Sequence, residues 1–171
     1  MQLKPLLQQT LNEMEWEDEI EFDPERETNR VGTKYQIDGQ DYLLYVETED
    51  APCLISCFLY APFRIPEKRH DDACVLANYF NANTRLGRLA IEGGQIQIGQ
   101  CIDVEDATPS TTMITNMINT AANVARRTAK YFGTLAFTET PVSEVIKQYD
   151  AAVAVAVAEA EGQTEDVPDS L

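Results

Sequence analysis

Few residues in this sequence could do chemistry, and their spacing keeps them apart. A single histidine occurs, His70, flanked by Arg69 and Asp71. One imidazole cannot make a histidine pair for a metal ion, and it leaves any serine or cysteine nucleophile with only one base of that kind. Its charged neighbours at the start of a helical pattern mark it as a solvated side chain. Cys53, Cys57, Cys74 and Cys101 are scattered through apolar segments instead of standing at framework spacing, so they are expected to be buried, reduced thiols. On a strand, Cys53 and Cys57 would be roughly 13 Å apart, too far to grip one zinc ion.

The acidic trio Asp103, Glu105 and Asp106 fails as a calcium loop. Thr108 and Ile114 stand where that loop needs its glycine and its closing glutamate. Gly94 to Gly99 is followed by no Lys-Ser or Lys-Thr pair, so it is a hairpin feature and not a phosphate loop. Arg126, Arg127 and Lys130 make a basic spot, expected to pair with nearby carboxylates. Asp103 with Glu105 stays open as a carboxylate pair for acid–base chemistry, because such a pair needs no motif. No metal site and no cofactor site is expected.

The elements that must position these residues follow from periodicity. Leu3, Leu6, Leu7, Leu11 and Met14 recur at helical spacing. Trp16, Ile20 and Phe22 fall at even steps among acids, which suits a short strand or extended arm. Asn29 to Lys34 reads as a polar loop. Tyr35 to Ile37 and Tyr42 to Glu47 form a hairpin about Asp38-Gly39, a dipeptide suited to positive φ. Cys53 to Tyr60 is apolar on both alternating faces, Leu54 and Phe58 on one and Ile55, Cys57 and Leu59 on the other, which predicts a central strand covered on both sides.

A helix follows Pro66, with Ala73, Leu76, Ala77 and Phe80 as its buried stripe. Leu86 to Ile91 and Gln95 to Ile102 are strands joined through Gly93-Gly94. Thr108-Pro109 starts a long helix carrying Ile114, Met117, Ile118, Ala121, Ala125, Ala129 and Phe132 on one face, which Gly133 is expected to stop. Thr140-Pro141 opens a last helix that fades after Ala158 into an acidic tail, residues 159–171, expected to be disordered. The order is α-(β)-β-β-β-α-β-β-α-α, which makes the fold class α+β: an antiparallel sheet with helices packed on it, in one domain over residues 1–158.

Charge narrows the partners. With 29 acidic and 13 basic residues the 171-residue chain carries −16, a field that repels nucleic acid and anionic bilayers. Met1 to Glu13 is an amphipathic helix and not a signal peptide, and Ala151 to Ala158 is too short to span a membrane, so a cytoplasmic protein is expected.

The middle of the chain resembles the YbjN family of bacterial proteins, whose fold is similar to that of type III secretion chaperones. The likeness is carried by Phe63-Arg64-Ile65-Pro66 opening a helix after an apolar strand, Leu76 through Asn81, Leu86-Gly87-Arg88-Leu89, the hairpin around Gly93-Gly94 and the long helix after Asp103. It spans residues 35–132, and the acidic segment before Arg30 and the helix after Pro141 depart from it. The resemblance implies a compact, often dimeric module that binds proteins, with regulatory or chaperone-like roles and no catalytic signature.

The function expected is therefore a non-catalytic, homodimeric protein-binding module with a protein or peptide partner. The alternative is an enzyme built on carboxylates. Two sets of residues are candidates for a partner or dimer contact. Met113 and Met117 stand one turn apart, and methionine adapts to varied apolar surfaces. Leu3, Leu7 and Leu11 form a stripe that could dock on the chain's own sheet, a second subunit or a client peptide.

Overall fold

The computed structural model describes residues 2–162. Its elements are α1 (Lys4–Glu13), β1 (Glu21–Asp23), β2 (Thr28–Ile37), β3 (Gln40–Asp50), β4 (Cys53–Arg64), α2 (His70–Ala82), β5 (Arg88–Glu92), β6 (Gln95–Asp103), α3 (Thr111–Phe137) and α4 (Val142–Gly162). The strands form one six-stranded sheet in the order β1-β2-β3-β4-β6-β5, antiparallel at every pairing. The fold is α+β, with the element order expected from the sequence.

The hairpins close where short side chains permit positive φ. Asp38 and Gly39 reverse the chain between β2 and β3 at φ 49 and 78, and Gly93 and Gly94 do so between β5 and β6 at φ 52 and 79. Residues 29–34 are strand and not loop: Val31 lies opposite Val46 and Thr33 opposite Leu44. Their polar neighbours face the uncovered side of the sheet, which is why the stretch looked like a loop.

α3 begins two residues later than Thr108-Pro109 suggests, because Ser110 is the residue whose hydroxyl accepts the Met113 backbone N–H, at 3.3 Å. It also runs through Gly133. That glycine is not in the left-handed conformation that ends helices, and the stop comes at Thr138, whose extended backbone breaks the pattern. Residues 159–162 of the acidic segment continue α4, and the rest of it lies outside the described residues.

Side-chain accessibility alternates along β2, β3, β4 and β6, which separates an inner face from an outer one. Val31, Leu44, Val46, Ile55, Cys57, Leu59, Ile96 and Ile98 are buried on the inner face. α3 lies across them and α1 lies beside α3, with Leu3, Leu7 and Leu11 buried. The Leu3 backbone N–H donates to the Asp50 carboxylate at 2.7 Å, which ties the start of α1 to the end of β3.

At the other end α2, α3 and α4 meet in a ring cluster. Phe80 lies 4.9 Å from Tyr149, 5.7 Å from Phe132 and 6.0 Å from Tyr131, centroid to centroid. Arg69, nearly buried, donates to the carbonyls of Thr138 and Thr140 and pairs with Asp72 at 3.0 Å, so the α3–α4 connection is held by the turn before α2. Asn81 closes the sheet edge: its side-chain amide donates to the Leu89 carbonyl at 2.9 Å and its oxygen accepts the Leu89 N–H at 2.8 Å, occupying β5 as a further strand would.

Phe80→Ala removes the ring shared by three helices, and the expected cost is about 3–5 kcal/mol. Urea unfolding followed by circular dichroism checks this; a loss under 1 kcal/mol, about a conservative core trim, would mean that the cluster does not join those helices.

Candidate functional site

Among the described residues no helix lies over the outer face of the sheet, yet its central residues are apolar. Leu43 and Tyr45 of β3 stand beside Tyr60 and Phe58 of β4, register neighbours in the sheet, and Leu54 lies further along β4. Leu43 is 42% exposed, and Tyr45, Leu54, Phe58 and Tyr60 are half-buried. β4 is thus central and apolar on both faces, as its sequence suggested, but covered on only one.

Two glycines set the shape of this surface. Gly32 lies opposite Tyr45 and Gly99 opposite Phe58. A Cβ on Gly32 would stand 2.5 Å from Tyr45 Cε1, and one on Gly99 would stand 3.0 Å from Phe58 Cδ1. Each ring therefore occupies the space above a neighbouring strand's bare backbone, and the face becomes a low aromatic platform. Tyr60 packs edge-on to Tyr45 at 5.9 Å, and its hydroxyl accepts from Gln97 at 2.7 Å. The Arg30 guanidinium sits 5.0 Å from the Tyr45 ring centroid.

Carboxylates border the platform. Glu47 and Glu49 alternate with the inward residues of β3, so they share its outer side with Tyr45. Asp18, Glu19 and Glu21 line a cleft of about 270 Å³ with Arg30 and Tyr45 at the β2 edge. Burial holds the Glu47 carboxyl above its usual range, with Glu49 and Asp23 adding to the shift, against the pull of Arg30 and Arg26. The surface offers stacking and apolar contact in its middle and negative charge at its margin.

The residues singled out from sequence fall elsewhere. Leu3, Leu7 and Leu11 are 0, 0 and 1% exposed, so their stripe is spent on the chain's own core. Met117 is buried. Met113 is half-buried and shares a shallow groove of about 330 Å³ with Met117, Leu86, Ile102 and Thr120. The two methionines are thus together in this groove, which the α1 leucines do not line.

His70 is not simply solvated: its Nε2 stands 3.1 Å from the Ile65 carbonyl, and a Cβ on Gly94 would press against it at 2.7 Å. Cys53 and Cys57 are buried, and burial pushes the Cys57 thiol up to about 12, but Cys74 and Cys101 are exposed, contrary to expectation. Cys101 is outward-facing on β6 and Cys74 lies off the buried stripe of α2. Asp103 and Glu105 stand in water, and the Asp103 carboxylate accepts the Glu105 N–H at 3.0 Å, a local turn contact. Of the basic spot, only Arg126 finds a carboxylate, Asp38 at 3.8 Å; Arg127 donates to the Tyr149 hydroxyl and Lys130 lies over the Tyr131 ring.

The family model of YbjN, described as "putative bacterial sensory transduction regulator", matches residues 6–134. The chain belongs to the YbjN family. The matched region covers every strand and stops before the end of α3, leaving α4 outside it. Among solved structures, a chain of the HopA1–SchA chaperone–effector complex is similar at 14% identity and a TM-score of 0.48, covering 72% of this chain and 89% of that one. YbjN from E. coli is similar at 9% identity and a TM-score of 0.47, covering 73% and 89%. No curated protein matches the sequence. No described helix is long and apolar enough to cross a membrane.

The platform was missed in the sequence, although two signals for it were present: the two-sided apolar pattern of β4, and glycines interrupting β2 and β6 where nothing needs a turn.

The raised Glu47 gives a test with a definite sign. Its ionised form is the disfavoured one in the folded state, so the penalty is absent below the ordinary carboxylate range and sets in as the pH rises through and above it. Glu47→Gln should raise the melting temperature at pH 7 and bring no gain below about pH 4. A lower melting temperature at pH 7 would show that Arg30 and Arg26 outweigh burial.

Proposed function

We propose that this YbjN-family protein is a non-catalytic regulator that holds a protein or peptide segment on the outer face of its sheet. One observation carries the reading. Gly32 and Gly99 give up side chains within strands, where glycine is unfavourable, and the rings of Tyr45 and Phe58 take the space on a face that no helix covers. A surface of that kind is what a partner's apolar side chains can lie against. Its acidic margin suits a segment bearing lysine or arginine.

The net charge of −16 supports a protein partner over nucleic acid or an anionic bilayer. The protein acts in the cytoplasm, where its two exposed thiols would stay reduced, and it works as a homodimer, the state that the family resemblance implies. Asp103 and Glu105, exposed and engaged locally, give no support to the carboxylate enzyme.

Leu43→Asp places a charge on the platform at a side chain that is already well exposed, so the fold should persist. Affinity capture from the native cell with quantitative mass spectrometry should show a partner enriched by the unaltered protein and reduced at least about tenfold by this variant, a loss of about 1.4 kcal/mol. Leu86→Asp, at a residue off the platform, should capture as the parent does. Equal enrichment by all three proteins would remove the platform as the binding surface.

A further inference from the structure

Two features remain without a partner, and their chemistry matches. The first is the distal half of α4. Its proximal half is held to the rest of the fold: Tyr149 packs among Phe80 and Tyr131, and the Tyr79 hydroxyl donates to Asp150. From Ala151 to Ala160 every residue is exposed, including Val153, Val155 and Val157 at 41, 58 and 51%. Ala151 to Ala158 holds no charge and only alanine and valine. A helix apolar on all sides is normally a covered helix, so this stretch suits a surface against it.

The second feature is a groove of about 410 Å³ beside the C-terminal half of α3. Phe63, Ala129, Gly133 and Phe137 supply apolar lining, and Arg126, Lys130 and Asp38 its charge, with Asp38 3.8 Å from Arg126. Gly133 weakens a long helix near its C-terminal end, and a Cβ built on it meets nothing within 4 Å, so the fold itself does not require the glycine. Phe137 is 72% exposed, leaning on Phe63 at 5.5 Å. Ala129 and Gly133, one turn apart, are where another helix could approach closely.

The chain cannot fill this groove with its own α4. At 100° per residue, the α3 side chains that meet α4, Arg127 and Tyr131, point well away from the sector of Ala129, Gly133 and Phe137. We propose that the Ala151–Ala158 extension of one protomer lies in the Gly133 groove of a second copy, whose own extension lies in the groove of the first. A two-fold dimer makes such a contact twice from two unlike surfaces. Charge supports this occupant: two copies at −16 repel, the extension enters uncharged, and Glu159 directly after it can meet Lys130, while Asp38 already faces Arg126. The inference rests on the homodimeric part of the proposed function and names its interface.

Light scattering and sedimentation equilibrium on the full chain at micromolar concentration test it, with Gly133→Leu to fill the groove and Val157→Asp to charge the extension. Leucine favours helix and enters open space, and Val157 is exposed, so both variants should keep the parent's circular dichroism spectrum. The expected result is a dimer for the parent and, for each variant, a dissociation constant raised at least about tenfold. If both variants dimerise as the parent does, the assignment is wrong and the dimer uses another surface. Weakening by Val157→Asp alone would seat the extension somewhere other than the groove and equally overturn it. A parent that is strictly monomeric overturns both this contact and the homodimer, while the platform reading stands or falls on Leu43→Asp.

Discussion

The sheet has two faces and the chain supplies helices to only one, and most of the architecture follows from that asymmetry. α3 carries the widest apolar face of any helix here, with Ile114, Met117, Ile118, Ala121, Ala125 and Phe132 all buried. It can bury that face only by lying across the inner residues of the central strands, above all those of β4. Once it lies there, α1 has one place left beside it, and the leucines of α1 fill it. α2 and α4 then close the far end, where Phe80 gives three helices a common ring and Arg69 satisfies carbonyls that the α3–α4 connection leaves free.

The outer face is the remainder of that division. Water reaches it, but its middle is aromatic and aliphatic, and its glycines let rings lie low instead of standing up as separate side chains. Buried carboxyl character at Glu47 shows that even the margin is partly dry. Cys57, whose thiol burial pushes up to about 12, lies in the core, and the one imidazole of the chain stands against the backbone of Ile65. At the β5 edge of the sheet, Asn81 takes up the Leu89 N–H and carbonyl, which discourages strand addition at that residue.

Much of this could be read from residue order alone, because the signals are local. Helical spacing of Leu3, Leu7 and Leu11 or of Ala73, Leu76, Ala77 and Phe80 depends only on the 3.6-residue turn, and Asp38-Gly39 and Gly93-Gly94 reverse the chain for reasons contained in their own backbones. Element order, antiparallel pairing and family membership all rest on such signals. Misreadings occurred where distant groups overrule local preference. Gly133 stays helical because α3 is held on the sheet from both sides of it, and Asn29 to Lys34 extends because β3 supplies its hydrogen bonds.

Composition and spacing by themselves determined an acidic α+β chain with a scarcity of reactive groups, since these are properties of residue type and short-range period. Which apolar residues face water was decided only by the tertiary structure. Leu3 and Leu43 are the same side chain, and one is buried while the other is 42% exposed because α3 shields a single side of the sheet. Burial is a sum over contacts from remote parts of the chain, so no local pattern can tell a two-faced apolar strand that is covered twice from one that is covered once.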